Sequence, residues 1–302
     1  MFELILFSIL SVIIITPNGY IFYKHSSNII NLSNQLIYGI ILISFITLVI
    51  NFFYPLNPLA NTLILILPAL IIFKNIKTYL SINFIKFIIF NSIIIFLLTA
   101  KSNIYRPDAI LYHLPYTGIL NNEKIIFGLS NLHFRFAHIS IIQYFSAFFN
   151  NLLIEKHGII LSIAIIASAV IINFLGHSFY YLKNKNFNFH FLFLLSILIF
   201  IAYKMNRYGE YGNDAPTHFL FFFLISELIQ LFNKKRESFN SNHLIIAIFI
   251  FLNKITMAFA IFLPFIFFKK KNLKKLFKET KIYFAFVFLF LWILKNIVIS
   301  GC

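Results

Sequence analysis

Apolar residues fill most of the chain in long blocks rather than in alternation with polar residues. About 20 consecutive apolar residues are needed to cross the hydrocarbon layer of a membrane as a helix. The blocks that predict such helices are residues 2–22, 34–54, 58–73, 84–100, 158–181, 190–204, 216–232 and 281–299. A membrane β-barrel would need short segments of alternating polarity, so the pattern predicts an all-α membrane protein with about eight transmembrane helices.

Two further segments have a less obvious orientation. Residues 244–268 could cross the membrane once, but that would place the basic clusters 234–236 and 269–271 on opposite sides. Because basic loops favour the cytoplasm, we predict a short helical hairpin with Asn253 and Lys254 near its tip. By the same reasoning, residues 137–154 are predicted to lie along the membrane surface as an amphipathic helix.

Composition supports a single polytopic membrane domain covering residues 1–302. Hydrophobic residues make up 60% of the chain, 42 residues are Phe, and the mean hydropathy is +0.88. Four spans precede a long loop at 101–157, and the remaining spans follow it; the end directly after a span suggests C-terminal truncation. The net charge of +16 is expected from cytoplasmic Lys and Arg, so we predict no nucleic-acid partner. The only cysteine is Cys302, which excludes an intrachain disulfide.

This topology leaves two loops, residues 101–157 and 205–215, on the external face. Five of the nine acids and four of the nine histidines lie in them. These residues are Asp108, Glu123, Glu155, Glu210, Asp214, His113, His133, His138 and His157. A long loop held on a helical scaffold is a common place for binding and catalysis.

The stretch YRPDAILYHLPYTG, residues 105–118, contains the first candidates. Pro107 is expected to start a short helix and Pro115 to end it, with Asp108 in the first turn. Asp108 and His113 are five residues apart, which places them on different faces of an α-helix and argues against a direct Asp–His pair. Asp108 could act alone as a general base, or it could be a helix-capping charge.

Cations that could bind a phosphate lie in the same loop. In NLHFRFAHIS, residues 131–140, His133, Arg135 and His138 alternate with aromatic residues. Arg106 and Arg135 are the preferred partners of a diphosphate because a guanidinium can bind it through two hydrogen bonds. The alternative is an interfacial loop with snorkelling polar groups.

Four charges in or near the spans need separate explanations. Lys254 could reach a lipid phosphate from the hairpin tip, and so could Lys295 near the external end of the last span. Glu227 lies near a cytoplasmic end and is expected to have no special role. Asp214, in NDAP, is either a second acid of the site or the N-cap of the helix that starts at Pro216.

Metal binding has little support in the sequence. A divalent metal is possible, since Asp and His side chains of the two loops could meet, but no stretch has the spacing of a known metal motif. No cofactor and no metal ligand are therefore assigned.

The order of these parts resembles the GT-C superfamily of membrane glycosyltransferases. The stretches that carry the resemblance are NFFYPLNPLANT, RPDAILYHLPY, GLSNLHFRFAH, YGNDAP, FLNKITMAFAIFLP and WILKNIVISGC, which are similar to segments of bacterial multi-pass proteins of this type. The resemblance implies transfer of a sugar from a polyprenyl-phosphate donor to a glycan or lipid acceptor at the external face. By position, Asp108 and Asp214 take the acidic roles and Lys254 that of the hairpin lysine. The first loop lacks the paired acids of many such enzymes.

The functional hypothesis is a glycosyltransferase of cell-envelope assembly in the bacterial inner membrane. Its catalytic candidates are Asp108, Asp214 and His113, and its donor-phosphate candidates are Arg106, Arg135, Lys254, His133 and His138. An O-antigen polymerase or ligase would depend on Arg and His rather than on Asp. A transporter or lipid flippase would line several spans with polar groups and often has an internal repeat, which is not evident here.

Overall fold

The computed structural model describes residues 2–23, 28–100, 107–138, 140–208, 211–233, 240–267 and 279–301. Arg106 lies outside these residues, as does the side chain of His138. Helices and turns make up the fold, and the described ranges contain no strand. The α-helices are α1 Phe2–Asn18, α2 Ile29–Asn51, α3 Pro58–Ile64, α4 Ile66–Lys74, α5 Ile76–Tyr79, α6 Ile82–Ala100, α7 Leu114–Asn122, α8 Ile142–Ala147, α9 Leu161–Lys183, α10 Phe189–Tyr208, α11 Asp214–Asn233, α12 Ser241–Asn253 and α13 Thr280–Ser300.

Six helices in the described ranges are long and apolar enough to cross a membrane. They are Phe2–Ile21, Ile29–Asn51, Ile82–Ala100, Gly158–Lys183, Asp214–Asn233 and Thr280–Ser300. Each corresponds to a block predicted from the sequence, and the chain is an integral membrane protein. The other two predicted spans are shorter apolar helices, Phe189–Lys204 and Pro58–Lys74. The second is divided at Leu65 into α3 and α4.

The predicted hairpin is present as two short elements that pack against each other. Helix α12 ends at Asn253, and Lys254 has an extended backbone with φ −150° and ψ 112°. A 3₁₀ segment, Ile255–Phe267, then leads away, with a non-helical residue at Met257. Thirteen residues in each element are too few to cross the hydrocarbon layer, so Lys254 lies at a turn between two short elements.

Helices α2 and α9 form the centre of the bundle. In each, 78% of the most apolar stretch is buried within the protein, the highest share among the spans. Polar side chains cross this interface: Asn173 Nδ2 donates to Ser33 Oγ at 3.0 Å and to Asn34 Oδ1 at 2.9 Å. Hydrogen bonds of this kind hold helices together where apolar burial drives little association.

Close approach of α1 to α2 depends on glycine. A Cβ built on Gly39 would lie 2.1 Å from the Ile15 carbonyl oxygen, and one on Gly19 would lie 1.8 Å from the Gln35 carbonyl oxygen. Small residues let membrane helices pack backbone to backbone in this way. The contact therefore requires glycine at both positions.

The loop that follows α6 is folded into the protein rather than spread over its surface. Residues 140–151, predicted to lie along the membrane surface, are all buried. Only Ile142–Ala147 forms a helix, so the segment does not span, and the prediction of an exposed amphipathic helix is wrong. Its Ser and Gln side chains bond to partners inside the protein. The spacing of the polar residues in the sequence does not show this.

A substitution at Gly39 tests the close packing of α1 on α2. Gly39→Ala should lower the free energy of unfolding by about 1–3 kcal/mol, because the new methyl group meets a backbone carbonyl that cannot move away locally. The measurement is unfolding of the purified protein in mixed detergent, followed by circular dichroism. Gly118→Ala is the matched control, since nothing lies within 4 Å of its Cβ and a helical alanine is favoured by up to about 1 kcal/mol. Equal stability of the two variants would contradict the prediction.

Candidate functional site

Asp108 and His113 lie on a helix that contains a π-turn. Residues Ala109–His113 form this turn, and the N–H of Leu114 donates to the Ala109 carbonyl five residues back. The helix then continues as α7 to Asn122, so Pro115 does not end it as predicted. Proline has no N–H to donate, and it sits directly after the widened turn. The angle between residues five apart holds for an α-helix and does not apply to the wider π-turn. Asp108 and His113 nevertheless form no direct hydrogen bond.

His113 is buried and held in one orientation by a neighbour from the folded loop. Its Nδ1 is hydrogen-bonded to the side-chain amide nitrogen of Gln143. With that amide as the donor, the neutral imidazole carries its proton on Nε2. Burial lowers the pKa of His113 to about 4, against smaller opposing effects of Asp108 and Asp214. The ring is therefore an uncharged hydrogen-bond donor at neutral pH.

Arg135 pairs with Asp108. Its Nη1 lies 3.7 Å from Asp108 Oδ1, and both side chains are about half exposed, at 45% and 62%. The guanidinium also lies over the Tyr112 ring at 5.0 Å and the Phe134 ring at 5.6 Å, an arrangement that orients it. His133 supports this position, since its Nδ1 accepts the backbone N–H of Arg135 at 3.3 Å.

Lys254 forms a second ion pair, with Asp214. The Lys254 Nζ donates to Asp214 Oδ1 at 2.6 Å, and the side chains are 33% and 57% exposed. Asp214 is the first residue of α11, two residues earlier than predicted. Its carboxylate joins the start of α11 to the hairpin turn, a role beyond that of a helix cap.

The buried segment 140–151 ties the hairpin turn to the rest of the site. Ser140 Oγ donates to Asn253 Oδ1 at 3.0 Å, and the Ile141 N–H donates to the Leu252 carbonyl at 3.1 Å. The same segment supplies Gln143, which holds His113. One short stretch therefore positions both the imidazole and the Lys254 turn.

Asn61 anchors this segment to α3. Its Nδ2 lies within 2.9 Å of three carbonyl oxygens, those of Leu56, Ala147 and Asn150, and the residue is fully buried. Asn121 makes a parallel pair of bonds to Leu56 and Ala147. These amides satisfy backbone groups of the loop that water cannot reach.

The structure thus brings together most of the residues predicted from the sequence. Asp108, Arg135 and Asp214 all act electrostatically on His113, and Lys254 joins through Asp214. We call this group the loop-face cluster: Asp108, His113, Arg135, Asp214 and Lys254. Lys295, predicted to snorkel outward, is instead fully buried, with its Nζ 5.1 Å from the Trp292 ring centre and 6.0 Å from that of Tyr144.

Several contributors were not found by sequence reasoning. Gln143 and Tyr112 contact cluster residues directly. Tyr211 has its hydroxyl 3.2 Å from Thr117 Oγ1, and burial raises its pKa. Tyr112 lies next to His113 in the stretch 105–118 but was not singled out, and Gln143 lies in a segment predicted to be a surface helix. Among the described residues, no group of three or more His, Cys, Asp or Glu side chains could hold a metal ion.

Comparison with known proteins identifies the family. A family model described as a domain of unknown function, DUF8201, matches residues 1–302. The chain belongs to the DUF8201 family. No curated protein and no solved structure matches it.

The lowered pKa of His113 predicts a loss of stability in acid. The folded pKa of about 4 lies below the ordinary value of 6.5, so the unfolded chain takes up a proton first as the pH falls. The contribution of His113 to stability should therefore decrease between about pH 6.5 and pH 4, by up to about 3 kcal/mol, and be constant above that range. The measurement is unfolding across this range for the wild type and for His113→Gln. The same acid loss in both would contradict the prediction.

The buried amide of Asn61 gives a second stability test. Asn121 still donates to the Leu56 and Ala147 carbonyls in Asn61→Leu, but the Asn150 carbonyl loses its side-chain donor, so the variant should cost about 1–3 kcal/mol. The control is Asn122→Leu, because Asn122 is exposed and donates only to the Gly118 carbonyl one turn back; it should cost less than about 1 kcal/mol. If both variants unfold at the same detergent concentration, Asn61 does not anchor the loop.

Proposed function

We propose that this DUF8201 protein is a membrane glycosyltransferase that uses a polyprenyl-phosphate-linked sugar in cell-envelope glycan assembly. The observation that carries the proposal is the pairing of each cation in the loop-face cluster with a carboxylate. A bacterial cytoplasmic membrane and a GT-C-like arrangement of helices belong to the same proposal. The non-enzymatic alternative is transport of the lipid itself.

The ion pairs can be replaced by a phosphate. Exposed pairs of this kind contribute only about 0–1 kcal/mol, whereas a phosphate offers charge-assisted hydrogen bonds to both Arg135 and Lys254. Donor binding would take the cations from Asp108 and Asp214. A carboxylate released in this way is ready to accept a proton.

The transfer step then balances with the residues of the cluster. The acceptor hydroxyl oxygen forms a bond to the anomeric carbon, and the bond from that carbon to the phosphate oxygen breaks. The hydroxyl proton goes to Asp108 or Asp214, and the bonding electrons leave with the polyprenyl phosphate, whose charge Arg135 and Lys254 stabilise. His113, neutral with its proton on Nε2, donates a hydrogen bond to substrate without adding charge.

An apolar groove supports a substrate with a lipid part. It has a volume of about 820 Å³ and opens between the end of α2 and helices α3 and α4. Aliphatic residues line it, including Ile46, Ile50, Leu63 and Leu67, and Tyr54 is also part of the wall. Helix α3 is bonded through Asn61 to the segment that carries Gln143, so the groove and the cluster share one scaffold.

Binding of a long-chain polyprenyl phosphate to the protein in lipid nanodiscs tests the first half of the proposal. Arg135→Gln and Lys254→Gln should each weaken binding about 10-fold or more, since each removes a charged hydrogen bond. Asp108→Asn and Asp214→Asn should bind as tightly as wild type or more tightly, because a competitor for the cation is removed. Lys124→Gln, an exposed lysine of the same loop, is the matched control and should change nothing.

Measurement of turnover tests the second half of the proposal, the transfer of the sugar. With a synthetic polyprenyl-phosphate hexose as donor, Asp108→Asn or Asp214→Asn should abolish release of polyprenyl phosphate while donor binding is kept. Loss of turnover in Arg135→Gln with full activity in both Asp variants would favour a polymerase or ligase. Saturable binding without turnover in any form would favour transport of the lipid, and no saturable binding in any form would contradict both readings.

A further inference from the structure

A second group of titratable side chains lies at the opposite end of the bundle. Glu227 of α11 is 13 residues beyond Asp214, about 20 Å along the helix. His243 Nε2 of α12 lies 3.8 Å from Glu227 Oε2, and His177 of α9 and His190 of α10 act on the same carboxylate. We call Glu227, His177, His190 and His243 the histidine–glutamate cluster.

The cluster is buried and bonded into four helices. The relative exposures of His177, His190 and His243 are 7%, 0% and 2%, and the Glu227 side chain is 12% exposed. His190 Nδ1 lies 2.9 Å from the Tyr181 hydroxyl and its Nε2 lies 2.8 Å from Ser226 Oγ. The His177 and His190 rings are 5.6 Å apart.

None of these four residues belongs to the loop-face cluster, and the proposed transfer reaction does not involve them. Ionisable groups inside apolar helices are costly, and they usually serve a function that repays their burial. His243 lies beside the carboxylate, His190 is bonded to the preceding residue, Ser226, and His177 packs against His190. Three imidazoles in one buried cluster with a carboxylate can hold a variable number of protons, because histidine changes charge near neutral pH. The metal alternative fails on geometry, since the described side chains form no group able to hold an ion.

We propose that the histidine–glutamate cluster is a proton-binding site whose occupancy sets how α9, α10, α11 and α12 pack at this end. One proton shared by the imidazoles balances the Glu227 carboxylate and leaves the cluster neutral. With fewer protons, a buried anion has no counter-charge. With more protons, like charges repel inside the bundle. Packing is therefore tightest at one intermediate proton count.

Other titratable groups face the cluster from the elements packed against it. They are Tyr181 of α9, Tyr38 of α2, Tyr23 after α1 and Lys281 of α13. Lys281 donates to Asn242 Oδ1 beside His243 at 2.9 Å. Tyrosine and lysine ordinarily keep their charge state between about pH 5 and 8, so a pH response in that range belongs to the histidines and Glu227.

The experiment measures the unfolding temperature of the full-length protein in nanodiscs between about pH 5 and 8. The wild type should be most stable at an intermediate pH. Glu227→Gln removes the negative charge of the cluster, so the cluster is then uncharged when all three imidazoles are neutral. The pH of greatest stability should therefore move to a higher value. His243→Gln removes one proton acceptor and should move the optimum to lower pH. His218→Gln, on α11 but outside the cluster, should leave it unchanged.

Opposite shifts in the two variants would support the proposal, and the acid loss due to His113 is common to all of them. A flat wild-type profile, an unchanged optimum in both variants, or shifts in one direction would overturn it. If Glu227→Gln does not fold, the comparison of His243→Gln with the His218→Gln control still tests the proposal. The pH of greatest stability should then move to a lower value in His243→Gln alone. The result is independent of donor binding, so failure here leaves the proposed transferase untouched.

Discussion

The buried segment 140–151 is the part on which the loop face depends. A stretch rich in backbone polar groups can enter an apolar bundle only if those groups find hydrogen-bond partners there. Asn61 and Asn121 supply donors to the carbonyls of Ala147 and Asn150. With the segment held in place, Gln143 fixes the His113 ring and Ser140 fixes the turn before Lys254.

The ionisable side chains of the loop-face cluster form two groups that differ in their exposure to solvent. Asp108, Arg135, Asp214 and Lys254 keep contact with solvent, so their pairs are exchangeable. His113 is cut off from solvent and stays neutral. His113 is close enough to both ion pairs to feel their charges, and as a neutral group it tolerates different charge distributions on a ligand.

Sequence reasoning located the six spans because they depend on local composition. The runs of Ile, Leu and Phe that form α2, α9 and α13 are evident without any tertiary information. The hairpin at Lys254 followed from the distribution of basic residues alone. The charged members of the loop-face cluster were also found, since titratable groups are rare in so apolar a chain and their gathering in two loops is visible in the sequence.

The remaining features depend on partners distant along the chain. Asn61 bonds to a carbonyl 86 residues away, and no local pattern marks it as an anchor. Segment 140–151 has a polar residue at every third or fourth position, as a surface helix does, but its polar side chains are buried in the protein. Glu227 was expected to have no special role, because its three histidines belong to three other helices and only the packed bundle brings them together.

The short helix pair α3 and α4 has a consequence for the surrounding bilayer. With 7 and 9 residues, joined at Leu65, the pair is at most about 25 Å long, less than the roughly 30 Å hydrocarbon thickness. A helix pair of this length keeps its apolar surface covered only where the adjacent hydrocarbon layer is thin or its lipids tilt. The groove therefore opens beside an apolar surface that is shorter than the hydrocarbon layer.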